Sequence, residues 1–148
     1  MTRILCLLLL LTVALQENEI TGTYSYGDGY GFEFMTLSVD KEVTVSQFTD
    51  GGGRSGKRTI ATYTVAGDSL KLNYLAPKWE RRYSERFGHF FIIREHEDFR
   101  ALLPPAEAAN WESHLADYED LKKKARGKIP DSVKSKFFSS YKIYVLVK

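Results

Sequence analysis

The sequence predicts an α+β fold that is mainly antiparallel β: a curved sheet or barrel with one C-terminal amphipathic helix and a final strand. Three observations carry this. From Ile20 to Leu75, short β-prone runs alternate with Gly/Asp turns at a spacing of roughly ten residues. Nine of the eleven glycines fall in that half, where tight hairpins need positive φ. After Pro104-Pro105 the hydrophobic period changes from two to three or four.

The first sixteen residues read as a leader rather than as part of the fold. Arg3 precedes an apolar run from Ile4 to Ala14, well short of the roughly twenty residues that span a bilayer. A basic start, a short apolar core and small residues at its end predict a secretory signal peptide. Cleavage is expected between Ala14 and Gln16, leaving 17–148 as a single domain, secreted or periplasmic, with no transmembrane segment. Cys6 is the only cysteine. The apolar core follows it instead of preceding it, which does not suit lipoprotein acylation. The mature chain would then carry no disulfide, a habit that fits a bacterial envelope better than small eukaryotic secreted domains.

Five strands are expected next: Ile20–Tyr26, Phe32–Val39, Glu42–Phe48, Thr59–Val65 and Leu70–Leu75. Alternation assigns their faces. Met35, Leu37 and Val39 share one side of their strand, as do Val43 and Val45, Ala61, Tyr63 and Val65, and Leu70, Leu72 and Tyr74. Phe32 and Phe34 fall out of step with Met35, which predicts a β-bulge near Phe34. Trp79, Arg81 and Tyr83 alternate with Glu80 and Arg82, predicting a sixth strand. His89–Arg94 and Phe99–Leu103 read as an antiparallel pair joined by the charged stretch from Glu95 to Asp98.

A helix is expected over about 105–126. Pro105 suits its first turn. Ala108, Trp111, Leu115, Tyr118, Leu121 and Ala125 form its apolar stripe. Lys122, Lys123, Lys124 and Arg126 crowd its C-terminal end, which suits the helix dipole, and Gly127 is the expected cap. Glu119–Lys123 and Asp120–Lys124 are spaced for i,i+4 pairs. Pro130 opens a short helix through Phe137. The tail 142–147 (KIYVLV) is a strand apolar on both faces, expected to pair beside the first strand and close the barrel.

Thr21-Gly22-Thr23-Tyr24, Ala61-Thr62-Tyr63 and Gly67-Asp68-Ser69-Leu70-Lys71-Leu72 resemble the opening strand and the Gly-Asp-x-Leu-x-Leu hairpin of small bacterial lipocalin-like (calycin-type) domains. The resemblance covers about residues 20–75. It implies an up-and-down β-barrel with an internal cavity and no catalytic residues.

Motifs for chemistry are scarce. There is no G-x-S-x-G elbow and no cysteine outside the leader, so nucleophilic catalysis finds no signature. His89 and His96, with Glu95, Glu97 and Asp98, offer zinc-ligand types. They lack close His-x-His or H-E-x-x-H spacing and read as a solvated turn, so no metal is assigned. Gly51 to Arg58 imitates a P-loop, but Arg58 stands where Ser or Thr is needed and a strand follows. This predicts a hairpin loop. A formal net charge of +2 gives no footprint for nucleic acid.

Two residue sets remain as candidates. If the barrel is hollow, Met35, Leu37, Val45, Tyr63 and Leu72 line a cavity for a small apolar ligand. Trp79, Arg81, Arg82, Tyr83 and Arg86 form an Arg/aromatic patch suited to a planar or anionic ligand or an envelope protein. The leading expectation is an exported, non-enzymatic binding domain without cofactor. A small envelope hydrolase and an interaction protein using the Arg/aromatic face are the alternatives.

Overall fold

The computed structural model describes residues 20–27, 31–49, 53 and 55–147. The expected leader lies outside these described residues. Eight strands follow one another: β1 (Gly22–Gly27), β2 (Gly31–Leu37), β3 (Glu42–Thr49), β4 (Arg58–Ala66), β5 (Ser69–Tyr74), β6 (Phe90–His96), β7 (Phe99–Leu103) and β8 (Tyr144–Val147). Each pairs antiparallel with the next, and β8 pairs with β1 through Thr23↔Val147, Tyr24↔Leu146 and Ser25↔Val145. The result is a closed up-and-down barrel, which leaves no sheet edge open to another chain.

Closure follows from the tail's two apolar faces. Tyr144 joins the barrel interior, with Leu146 packed against it. Ile143 and Val145 belong to a second cluster outside the barrel. That outer cluster lies between the wall and two helices, α2 (Trp111–Ala125) and α3 (Asp131–Ser139). Trp111 and Tyr118 from α2 and Phe138 from α3 meet Phe99, Ala101 and Leu103 from β7. A 3-10 turn, Pro105–Asn110, leads directly into α2, so the predicted helix begins as 3-10.

Several local expectations are corrected. The predicted sixth strand at Trp79–Tyr83 is a helix, α1 (Pro77–Phe87). A strand would place Arg81 and Glu85 on the same face as the aromatics. A helix gathers Trp79, Tyr83 and Phe87 alone on one side, with Pro77 in the first turn and Gly88, at φ 64°, ending it. Tyr83 and Phe87 are buried in the barrel cluster, so α1 plugs the end where β5 leaves and β6 enters.

The expected bulge near Phe34 is absent. β2 pairs with β3 in continuous register from Gly31↔Thr49 to Leu37↔Val43. The irregularity lies between β3 and β4, where Val43 pairs with Ala61 and Thr44 with Thr59. Ile60 is the extra residue, and it is buried beside Ala61. The apparent phase slip in β2 has another cause: Glu33, not Phe32 or Phe34, points inward with Met35 and Leu37. At the end of α2, Arg126 rather than Gly127 adopts the left-handed cap. The expected i,i+4 pairs are replaced by i,i+3 pairs, Glu119–Lys122 and Asp120–Lys123.

Candidate functional site

The interior of the barrel is largely apolar, with Arg100 of β7 reaching Tyr24 and Glu95 and a buried carboxylate near the end plugged by α1. There Glu33, only 2% exposed, stands among aromatic residues. Charge removed from water must be compensated by donors or a countercharge, and three groups do so. The Tyr144 hydroxyl donates to Oε1 at 2.8 Å. Gln47 Nε2 donates to Oε2 at 2.8 Å. Arg86 Nη1 lies 3.0 Å from the same Oε2. Both carboxylate oxygens are therefore engaged, from β8, from β3 and from α1.

The surrounding rings orient these groups. Tyr26 stacks on Tyr144 at 5.2 Å, and Phe87 and Phe91 meet Tyr144 edge-on at 5.6 and 5.9 Å. Burial, followed by the adjacent Glu33 carboxylate, pushes the Tyr144 phenol well above the usual tyrosine range. It therefore remains a donor. The Arg86 guanidinium lies 5.5 Å over the Tyr26 ring, within cation–π reach.

Above Glu33 opens a pocket of about 150 Å³, walled by Tyr26, Gly31, Phe32, Glu33, Gln47, Phe48, Thr49 and Arg86. Gly31 allows β2 and β3 to approach closely here, since a Cβ at this position would lie 2.3 Å from the Phe48 carbonyl oxygen. Phe48 is 43% exposed at the rim, which leaves one apolar wall turned to solvent. Arg86 also borders a larger groove of about 500 Å³, formed with His89, Pro104, Glu107 and Tyr141.

The two residue sets singled out from sequence fall in different places. Met35, Leu37, Val45, Tyr63 and Leu72 are all in the barrel interior, each no more than 4% exposed, within one continuous buried cluster. The set Trp79, Arg81, Arg82, Tyr83 and Arg86 lies on α1 and splits between its faces. Tyr83 is buried, Trp79 packs partly buried against the barrel cluster, and Arg81 and Arg82 are exposed. Arg86 alone turns to the pocket.

The histidines are dispersed. His89 faces Glu80 at 3.5 Å, near Tyr74, whereas His96 is at the far end of β6. His96 does approach Asp98 and Glu119, a trio with metal-ligand chemistry. Two details speak for a structural role. His96 Nδ1 accepts from the Asp98 backbone N–H at 3.2 Å. The ring hydrogen therefore belongs on Nε2, which faces Glu119 Oε1 at 3.3 Å. A metal on Nε2 would move that hydrogen to Nδ1, against another N–H. Moreover, the Lys122 ammonium stands in the place of a cation, 2.6 Å from Asp98 Oδ2 and 2.9 Å from Glu97 Oε1. Hydrogen bonding from Lys122 holds the Asp98 carboxyl below its ordinary range. The cluster ties the β6–β7 turn to α2.

His114, on α2, is buried. Its Nε2 lies 2.9 Å from Glu107 Oε2, and its ring stacks on Tyr141 at 3.8 Å.

Sequence reasoning missed Glu33, although a signal was there. The period-two series Leu37, Met35 runs straight back to it, whereas the flanking Phe32 and Phe34, out of step with that series, suggest a bulge instead. Comparison with known proteins finds no matching family model, no matching curated protein and no matching solved structure.

Proposed function

We propose that this protein is a non-enzymatic, lipocalin-type binding barrel, exported after removal of residues 1–16, whose small-molecule ligand sits at the plugged mouth over Glu33. One observation carries the reading: a largely apolar barrel places Glu33, the one buried carboxylate among the described residues, beneath an open, aromatic-walled pocket. A packed core has no use for a buried charge, whose desolvation offsets much of what its partners return. Buried polar groups converging beside apolar walls are the usual composition of a ligand site. The up-and-down strand order and the helices packed outside the barrel support the lipocalin-type reading.

The site proposed here is the mouth rather than the deep interior, because Met35, Leu37, Val45, Tyr63 and Leu72 already fill one another's surroundings. The test is titration with an apolar anilinonaphthalene probe, followed by fluorescence. Saturable binding is expected, weakened about tenfold or more by Phe48→Ser, a rim change of small effect on stability. Equal binding by the variant overturns the mouth assignment. Protein recovered from its own host is expected to begin at Leu15 or Glu17, and an intact Met1 there overturns the export proposal.

A further inference from the structure

We infer that the mouth pocket takes an organic cation, an ammonium or amidinium on a body about the size of one aromatic ring, and that Arg86 is its internal stand-in. This rests on the reading of the mouth as the ligand site.

The three partners of Glu33 are not equivalent. Tyr144 and Gln47 belong to β8 and β3, strands of the closed wall. Arg86 belongs to the plug helix, and its side chain is 39% exposed. It is the one cationic partner of Glu33 among the described residues, and the one not anchored in the barrel. The place its guanidinium occupies combines a carboxylate oxygen at 3.0 Å with the Tyr26 ring at 5.5 Å. A carboxylate beside an aromatic face is the combination that holds ammonium and guanidinium groups, through charge-assisted hydrogen bonds and cation–π attraction.

The rest of the pocket suits such a ligand. Phe32 and Phe48 supply apolar walls, and the space is about 150 Å³, a volume that holds a benzene-sized body. A displaced Arg86 has room to move, because it also borders the larger groove, which Glu85 and Glu107 line. Its charge would then meet carboxylates instead of bare solvent.

An anionic ligand fits less well. It would draw Arg86 away from Glu33 and leave that carboxylate buried with two neutral donors and no countercharge, the costly outcome for a broken buried pair. A ligand cation instead replaces one countercharge with another.

The experiment compares three probes of one shape, phenethylammonium, phenylethanol and phenylpropionate, by NMR titration of the wild-type chain, Arg86→Met and Glu33→Gln. The ammonium is expected to bind the wild type about tenfold more tightly than phenylethanol, as suits a charge-assisted bond in a desolvated site. Arg86→Met, by removing the competitor, should tighten the ammonium further. Glu33→Gln should erase the preference while phenylethanol still binds. Equal binding of ammonium and phenylethanol to the wild type overturns the cation inference and leaves the mouth site standing. Preferred binding of phenylpropionate overturns it in favour of Arg86 as the receptor. Failure of all three probes to perturb mouth residues overturns the site reading itself. The wild-type comparison decides even if either variant folds poorly.

Discussion

Glu33 and Tyr144 lie 111 positions apart, yet the Tyr144 hydroxyl donates to Glu33 Oε1 at 2.8 Å inside the barrel. The bond links β2 to the last strand on the inner face of the wall, past β1, which pairs with both. It exists only because β8 returns to pair with β1 and thereby brings Tyr144 to the interior. A polar group in this position also fixes which way β8 faces, since a one-residue slip would turn Tyr144 outward.

Removing that hydroxyl should therefore be felt. Tyr144→Phe keeps the ring contacts with Tyr26, Phe87 and Phe91 but deprives one carboxylate oxygen of its donor. A loss of about 1–3 kcal/mol is expected, the range for an orphaned buried acceptor. Urea denaturation measures it, and a loss indistinguishable from zero would show that water replaces the hydroxyl.

Trp111 anchors the outer core. It is 5% exposed and meets the rings of Phe99 and Phe138 at 6.2 and 6.1 Å. Trp111→Ala should cost about 3–5 kcal/mol, the usual penalty for truncating a buried aromatic. A change below about 0.5 kcal/mol, the scale of a surface substitution, would mean that α2 does not pack on β7 in solution.

Deleting residues 141–148 removes β8 and opens the barrel. β1 and β7 would both be left with unpaired backbone, and bared edges invite association. The truncated chain is expected to aggregate or remain unfolded by circular dichroism. A soluble truncation with an unchanged melting temperature would refute closure.

The pH dependence follows from buried phenols and from one ion pair. Burial pushes Tyr74 and Tyr118 up to about 12 and raises Tyr24 and Tyr144 as well. Each folded-state value is above the unfolded one, so the associated stability is fully present below about pH 10 and is lost as pH rises beyond it. Asp98 has the opposite sign. Its lowered value gives stability that is present above about pH 4 and lost as pH falls through the folded-state value. Thermal melts across pH should show both limbs, and Asp98→Asn should flatten the acid one. Tyrosinate absorbance should rise together with alkaline unfolding, and ionisation well before unfolding would contradict the burial argument.

Much of the architecture was legible because it depends on local patterning. Alternation and apolar runs placed all eight strands, with one strand too many at Trp79–Tyr83, and the change of period after Pro105 located α2. The double apolar face of the tail pointed to closure against β1. These signals survive in one dimension because a strand or helix repeats its burial at fixed spacing. The pattern misled where two periods overlap. Trp79 and Tyr83 fit both a strand and a helix, and only the exclusion of Arg81 and Glu85 from the buried face decides for α1.

By itself, then, the sequence determined the strands, the helix and the need to cover both sides of β8, because each follows from residues near one another in the chain. The tertiary structure alone decided the site. Glu33, Gln47, Arg86 and Tyr144 come from four separate elements, and no spacing between them is characteristic. Their convergence arises from barrel closure and from the seating of α1 in its mouth. A buried carboxylate becomes recognisable only when the groups that compensate its charge are found around it.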